Sequence, residues 1–142
     1  MKTYKTPYIW IVVILLALAL TATACSGSKT PEATVVQAKL NEYNIILDKT
    51  SIPAGPVKFE IENIGTEEHE LVLEPSGAED EPFELNGEAS EAEEIQPGET
   101  RTLEWTLDQP GEYQLGCYIT NEGDTQTHAM KGMVTQFTVT QP

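Results

Sequence analysis

The chain has 142 residues and a formal net charge of −15, with 23 acidic residues against 8 basic ones. Such an acidic surface repels phosphate, so nucleic acid is excluded as a partner. A basic protein partner is favoured, because opposite charges steer association over long distances.

The N-terminal segment "MKTYKTPYIWIVVILLALALTATAC" has the features of a secretory signal. Lys2 and Lys5 precede an apolar run over residues 9–20, which is shorter than the roughly 20 residues that a membrane-spanning helix needs. The small residues 22–24 lead into Cys25, and this ending resembles a bacterial lipobox. The resemblance implies that Cys25 is acylated.

We therefore expect residues 1–24 to be a lipoprotein signal peptide and residues 25–33 to be the lipidated cysteine with a flexible tether. Several acyl chains give stable anchoring, so the protein is expected outside the cytoplasm. It would be held on the outer face of the inner membrane or on the outer membrane. An uncleaved N-terminal anchor is the alternative. Loss of residues 1–24 removes two lysines, which changes the net charge from −15 to −17.

Beyond the tether, apolar and polar residues alternate, as is typical of half-buried strands. In "VKFEIEN", for example, Val57, Phe59 and Ile61 share one face. The pattern predicts seven strands, near residues 34–40, 43–49, 57–63, 69–74, 100–107, 112–119 and 133–140. The side chains expected to face inward include Tyr43, Ile45, Leu47, Leu103, Trp105, Leu107, Phe137 and Val139. Seven short strands separated by Pro-Gly turns predict that residues 34–142 form one all-β domain, a two-sheet Greek-key β-sandwich.

One acidic segment, "SGAEDEPFELNGEASEAEE" at residues 76–94, interrupts the alternation. It lacks the spaced oxygen ligands and the fixed Gly of an EF-hand calcium loop. We expect a long surface loop, with a helical turn near residues 89–93.

His69 and Cys117 both project toward the interior. His69 is in phase with Leu71 and Leu73 at the start of its strand, and Cys117 is in phase with Leu115 at the end of another. With Cys25 lipidated, Cys117 has no partner for an intramolecular disulfide. In an oxidising compartment such a thiol forms an intermolecular bridge, reacts or binds a metal.

His128 and Met133 follow Cys117 and complete a set of nitrogen and sulfur donors. Two imidazoles, a thiolate and a weak thioether are the ligands of a blue-copper centre. Zinc accepts two His and one Cys but gains little from a thioether, and Met130 competes with Met133 for the axial position. Taken singly, each residue also has a purely structural interpretation: His69 as a hydrogen-bonded core histidine, Cys117 as a small apolar filler and Met133 as a flexible gap-filler.

The chain resembles the cupredoxins, the plastocyanin and azurin group of small copper proteins, over residues 34–141. The motifs that carry the resemblance are "ENIGTEEHEL", "QPGET", "PGEYQLGC" and "HAMKGMVTQFTV". The resemblance implies one copper ion bound by His69, Cys117, His128 and Met133. It also implies that His128, Ala129 and Met130 form an electron port within a small apolar docking patch.

Two features depart from the family pattern. Ten residues, "YITNEGDTQT" at 118–127, separate Cys117 from His128, where family members have a shorter connection. This inserted loop is expected to rearrange or open the site and to bring Glu122 or Asp124 near the metal. Glu70 follows the first histidine, where the family often has Asn.

The expected function is one-electron transfer by Cu(I)/Cu(II) cycling in a monomeric protein. The partner would be a basic redox protein such as a c-type cytochrome or an oxidase domain. The sequence shows no Ser-His-Asp set and no second cysteine for a binuclear copper centre, so an enzyme is not expected. The alternatives are a copper carrier that supplies an oxidase, a metal-free structural lipoprotein and a copper enzyme with an open site.

Overall fold

Eleven β-strands build residues 31–142, the part of the chain that the computed structural model describes. They are β1 (Thr34–Asn41), β2 (Asn44–Leu47), β3 (Ser51–Pro53), β4 (Gly55–Asn63), β5 (His69–Pro75), β6 (Glu84–Leu85), β7 (Glu88–Ala89), β8 (Glu91–Ile95), β9 (Thr100–Leu107), β10 (Gly111–Gly116) and β11 (Val134–Thr140). A 3₁₀ turn, Ala129–Lys131, precedes β11. The predicted signal peptide, lipidated Cys25 and the tether up to residue 30 lie outside the described residues.

The strands form two main sheets, which confirms the predicted all-β sandwich. One sheet has the order β2-β1-β4-β9 and the other β3-β11-β10-β5-β8, while β6 and β7 pair as a separate hairpin. Most neighbours are antiparallel, but β1 with β4 and β11 with β3 are parallel. No helix within residues 31–142 is long and apolar enough to cross a membrane.

Apolar side chains from the two sheets meet in the core. Phe59 and Phe137 contact each other edge to face, with ring centroids 5.6 Å apart, a favourable arrangement for aromatic pairs. Of the side chains predicted to face inward, the buried ones are Ile45, Leu103, Leu107, Phe137 and Val139. The partly buried ones are Tyr43, Leu47 and Trp105.

The helical turn predicted near residues 89–93 is wrong. Residues 84–89 form the β6–β7 hairpin, and β8 joins the second sheet beside β5. Burial of Ala92 and Ile95 explains the difference, because these two side chains join the hydrophobic core despite the acidic residues around them. The acidic segment is therefore a surface loop only up to the β6–β7 hairpin.

The two poles of the sandwich hold different segments of the chain. The start of β1 pairs with the start of β4, and Ala54 N–H donates to the Thr140 carbonyl near the end of the chain. From that pole, β4 and β10 run toward the opposite pole, and β5 and β11 run in the reverse direction. The start of β5 and the segment between β10 and β11 therefore lie at the opposite pole, where His69 and Cys117 are found.

Candidate metal centre

Backbone hydrogen bonds fix the segment that carries the predicted ligands. Cys117 N–H donates to the Met133 carbonyl at 3.1 Å, and Met133 N–H donates to the His128 carbonyl at 3.0 Å. His128 N–H donates to the Ile119 carbonyl at 2.9 Å. The positions after β10 and before β11 are thus tied to each other directly, and His69 faces them from the first position of β5.

The side chains of His69, Cys117 and His128 converge on one point, and all three are fully buried. The two Nδ1 atoms are 3.1 Å apart, and Cys117 Sγ lies 3.9 Å from His69 Nδ1 and 3.4 Å from His128 Nδ1. A circle through three atoms with these separations has a radius of about 2.0 Å, close to the roughly 2.0–2.3 Å of metal–nitrogen and metal–sulfur bonds in proteins. The three donors therefore fit a single metal ion at the centre of their triangle.

The two methionines of this segment differ sharply in exposure. Met133 is fully buried, whereas Met130 is 70% exposed on the 3₁₀ turn. The backbone of Met133 is bonded to both Cys117 and His128, and this favours Met133 over Met130 as the axial donor. The axial assignment itself stays a prediction.

Burial sets the protonation states of the donors. It lowers the pKa of His69, with His128 contributing in the same direction, and it lowers the pKa of His128. It raises the pKa of the Cys117 thiol from 9.0 to about 12, because a buried thiolate loses its hydration. In the metal-free protein at neutral pH, both imidazoles are therefore neutral and the thiol keeps its proton.

Glu70 connects the two ligand-bearing segments. Its backbone N–H points at Cys117 Sγ, 3.5 Å away, and its carboxylate accepts a 2.6 Å hydrogen bond from Tyr118 N–H. Burial raises the pKa of the Glu70 carboxyl. A carboxylate thus makes the contact between the segments at the position where the family often has Asn.

Of the two expected effects of the inserted loop, a rearranged or a more open site, the structure shows no opening, since His69, Cys117 and His128 are all buried. His128 Nε2 lies 3.1 Å from Asn121 Oδ1, and the Tyr43 ring packs edge-on to His128 with centroids 5.3 Å apart. Glu122 and Asp124, the acidic residues expected near the metal, are exposed, and Asp124 pairs with Lys131.

The exposure of His128 differs from that expected of an electron port. His128 has no exposed surface, since Asn121 covers the ring edge that was expected to face solvent. Ala129 is partly buried and Met130 is exposed. An apolar contact surface remains beside the site, but the imidazole is not part of it.

Sequence reasoning missed Asn121 and Glu67. Asn121 Nδ2 donates to Glu67 Oε2 at 2.8 Å, and the same Glu67 oxygen is 3.6 Å from His128 Nε2. Buried Asn63 holds the Glu67 segment by donating to its carbonyl at 2.8 Å. The Asn-x-Gly motif at residues 63–65 was therefore a signal for this segment, but nothing in it identified Glu67.

A cavity of about 460 Å³ lies beside the exposed methionine. Its apolar wall includes Ala129, Met130 and Val134, and Tyr118 contributes a polar wall. Asp80 is an acidic member of the lining. Tyr118, which lines the cavity, directly follows Cys117 in the chain.

Comparison with known proteins agrees with the fold. The profile of the cupredoxin-like domain matches residues 12–135, and the chain therefore belongs to the cupredoxin-like family. The family and the His69–Cys117–His128 cluster fit a single type 1 copper site.

Two crystal structures share the fold. Dithionite-reduced auracyanin from the photosynthetic bacterium Roseiflexus castenholzii is 19% identical, with a TM-score of 0.56 over 77% of this chain and 99% of that one. Auracyanin B is 19% identical, with a TM-score of 0.59 over 80% of this chain and 96% of that one. A comparison with curated protein sequences found no significant match.

Proposed function

We propose that the protein is an electron carrier that works outside the cytoplasm and holds one copper ion with His69, Cys117, His128 and Met133. When bound, copper supplies the one-electron Cu(I)/Cu(II) couple. The observation that carries the proposal is the buried triangle of donor atoms with a radius of about 2.0 Å. Because backbone hydrogen bonds hold Cys117, His128 and Met133, and strand pairing holds His69, little movement is needed on loading or on a change of oxidation state.

The test is an absorption and EPR spectrum of residues 31–142 after addition of Cu(II). An intense visible thiolate-to-copper band is expected in the wild type and is expected to vanish in Cys117→Ser. Met130→Leu is the matched control, because that side chain faces solvent. A colourless wild-type protein would overturn the proposal and favour a metal-free structural role.

A second pair of variants tests whether Met133 is the axial ligand. Met133→Leu keeps the buried volume nearly unchanged but removes the thioether, so the reduction potential should shift because the axial ligand tunes it. Met130→Leu should leave the potential unchanged. Equal shifts in both variants would argue against the axial assignment.

Burial of the donors favours retention of the ion over its delivery to another protein. All three side chains of the triangle are inaccessible to solvent, which also disfavours an enzyme with an open coordination position. Slow transfer of Cu(I) to an added chelator, together with reversible voltammetry, is the behaviour of an electron carrier. Rapid transfer to the chelator or to an apo-oxidase would instead indicate a copper carrier.

The partner is proposed to be a basic redox protein, such as a c-type cytochrome or an oxidase domain, that docks at the cavity beside Met130. Exposed Met130 offers apolar contact, and Asp80 offers charge for a lysine or arginine of the partner. With a basic c-type cytochrome as probe, Asp80→Asn should slow electron transfer at low salt. Glu104→Gln, on β9 of the other sheet, should change it less, and equal effects would mean that only net charge matters.

Anchoring through lipid on Cys25 is proposed from the sequence. The described domain supports it in one respect, since β1 begins at the pole opposite the metal centre. A tether at this end leaves the centre free to meet a partner. Mass spectrometry should find acylation on Cys25, and Cys25→Ala should move the protein from the membrane fraction to the soluble one. Recovery of both forms from the soluble fraction would exclude the anchor.

A further inference from the structure

Asn121 and Glu67 lie at the outer nitrogen of His128. The Glu67 carboxylate accepts from Asn121 Nδ2 at 2.8 Å, and Asn121 Oδ1 faces His128 Nε2 at 3.1 Å. An ionised carboxylate only accepts hydrogen bonds, so it keeps the amide nitrogen toward Glu67 and the amide oxygen toward His128. The amide oxygen also only accepts. The proton of neutral His128 must therefore sit on Nε2.

The opposite nitrogen of His128 then presents a lone pair to the metal position. Nδ1 of His128 faces Nδ1 of His69 at 3.1 Å and Cys117 Sγ at 3.4 Å. Since a neutral imidazole carries one N–H and one acceptor nitrogen, His128 Nδ1 is an acceptor for both neighbours.

His69 must have the opposite tautomer in the metal-free protein. Its Nδ1 lies against the lone pair of His128, so the contact is favourable only when His69 Nδ1 donates. The Nε2 atom of His69 is then unprotonated, and this atom is buried without a hydrogen-bond partner among the described residues. A buried N–H without an acceptor would be the rarer and costlier alternative.

We propose that Asn121, oriented by Glu67, is a positioning residue that keeps His128 ready to bind a metal through Nδ1. To bind a metal through Nδ1, His69 would have to change to the Nε2–H tautomer, which would place the costlier N–H at its buried Nε2. The inference rests on the proposed copper site, but the two tautomers are properties of the metal-free protein. They can be measured whether or not copper binds.

The direct test is the ¹⁵N NMR spectrum of the imidazoles in the metal-free, full-length protein above neutral pH. Coupling of ring protons to nitrogens should identify His128 as the Nε2–H tautomer and His69 as the Nδ1–H tautomer. The same tautomer in both rings, or Nδ1–H in His128, would overturn the proposal. This measurement needs no variant, so a failure of any variant to fold does not affect it.

Variants then test the role of Asn121. Asn121→Ala removes the acceptor, and loss of one hydrogen bond of ordinary net strength should shift the tautomer ratio of His128 about fivefold. Glu67→Gln both accepts and donates hydrogen bonds, so it should orient the Asn121 amide less strictly and lower the Nε2–H preference of His128 in part, whereas Glu67→Ala should remove the orientation altogether. Gln126→Ala, an exposed position on the same loop, is the control and should change nothing. An unchanged ratio in folded Asn121→Ala would refute the positioning role.

The loaded protein provides an independent readout. An acceptor on the outer nitrogen of a ligating imidazole raises its basicity, and loss of such a partner typically lowers metal affinity about 10- to 100-fold. Asn121→Ala should therefore bind Cu(II) more weakly and have a higher reduction potential, while Gln126→Ala should match the wild type. Unchanged affinity and potential would count against the proposal. A wild type that binds no copper would refute the proposed function and leave the tautomer result standing.

Discussion

Copper loading should release one proton from Cys117, and the burial of the thiol determines how strongly affinity depends on pH. The side chain is fully buried and its pKa is raised to about 12, whereas the metal binds the thiolate. At pH 7 the thiol lies about five units below its pKa, so ionisation costs about 7 kcal/mol at roughly 1.36 kcal/mol per unit. The Cu(I) affinity at pH 7 should therefore be about five orders of magnitude below that of a preformed thiolate.

The assay is a competition titration between the protein and a chromogenic Cu(I) chelator. The affinity should rise about tenfold per pH unit between roughly pH 7 and pH 9. Both histidines have pKa values lowered from 6.5, so they are neutral in this window and contribute no slope. Calorimetry in two buffers of different ionisation enthalpy should count the released proton directly.

A nearly flat pH profile would refute this reasoning, because it would mean that the thiol is already ionised in the metal-free protein. A slope of two protons per ion would place a charged histidine in the site. Cys117→Ala is the control, since it has no thiol to ionise and should show neither the proton release nor the steep dependence.

Three further substitutions and one matched control test contacts that shape the site. Gly116→Ala places a Cβ about 2.5 Å from the Tyr118 ring and should destabilise the domain by roughly 1–3 kcal/mol. Gly111→Ala on the same strand, with its nearest side-chain atom at 3.9 Å, should be nearly neutral. Asn63→Ala removes three hydrogen bonds around a buried amide and should lower the free energy of unfolding by about 3 kcal/mol in urea titrations. Glu42 has its pKa lowered from 4.5 to about 2, chiefly by a backbone hydrogen bond from Thr66, so its stabilisation is complete above pH 4.5 and fades toward pH 2. Glu42→Gln should therefore lower the melting temperature at pH 7 and have little effect near pH 2.

Contrary outcomes are equally specific. Equal destabilisation by the two Gly→Ala changes would show that Tyr118 does not confine Gly116. A stability loss below about 1 kcal/mol for Asn63→Ala would mean that water replaces the amide. An effect of Glu42→Gln that does not vary with pH would assign the stabilisation to shape rather than to charge.

The strands that sequence patterning predicted are those with one apolar face. β4 and β9 alternate cleanly, and the side chains along them are buried as expected at Phe59 and Leu103. β3 and β8 were missed for physical reasons. β3 has three residues, too few for a period to show. β8 is acidic, and it pairs with β5 because Ala92 and Ile95 bury their side chains in the core.

The site was predictable to the extent that it depends on strand parity. Parity placed His69 and Cys117 in the interior, and the family resemblance added His128 and Met133. The environment of His128 was not predictable, because it depends on how a ten-residue polar loop folds. A loop of this composition offers several side chains able to hydrogen-bond, and only the folded chain shows that Asn121 is the one that reaches the ring.

The two described ends of the chain share one pole of the sandwich, where Ala54 N–H bonds to the Thr140 carbonyl and β1 starts beside β4. A linker attached at either of these ends therefore leaves the donor triangle at the opposite, free pole. For immobilisation on an electrode, a C-terminal linker should present the same face as an N-terminal one. A circular permutant that joins these ends and opens the chain at the β6–β7 hairpin would keep the same orientation.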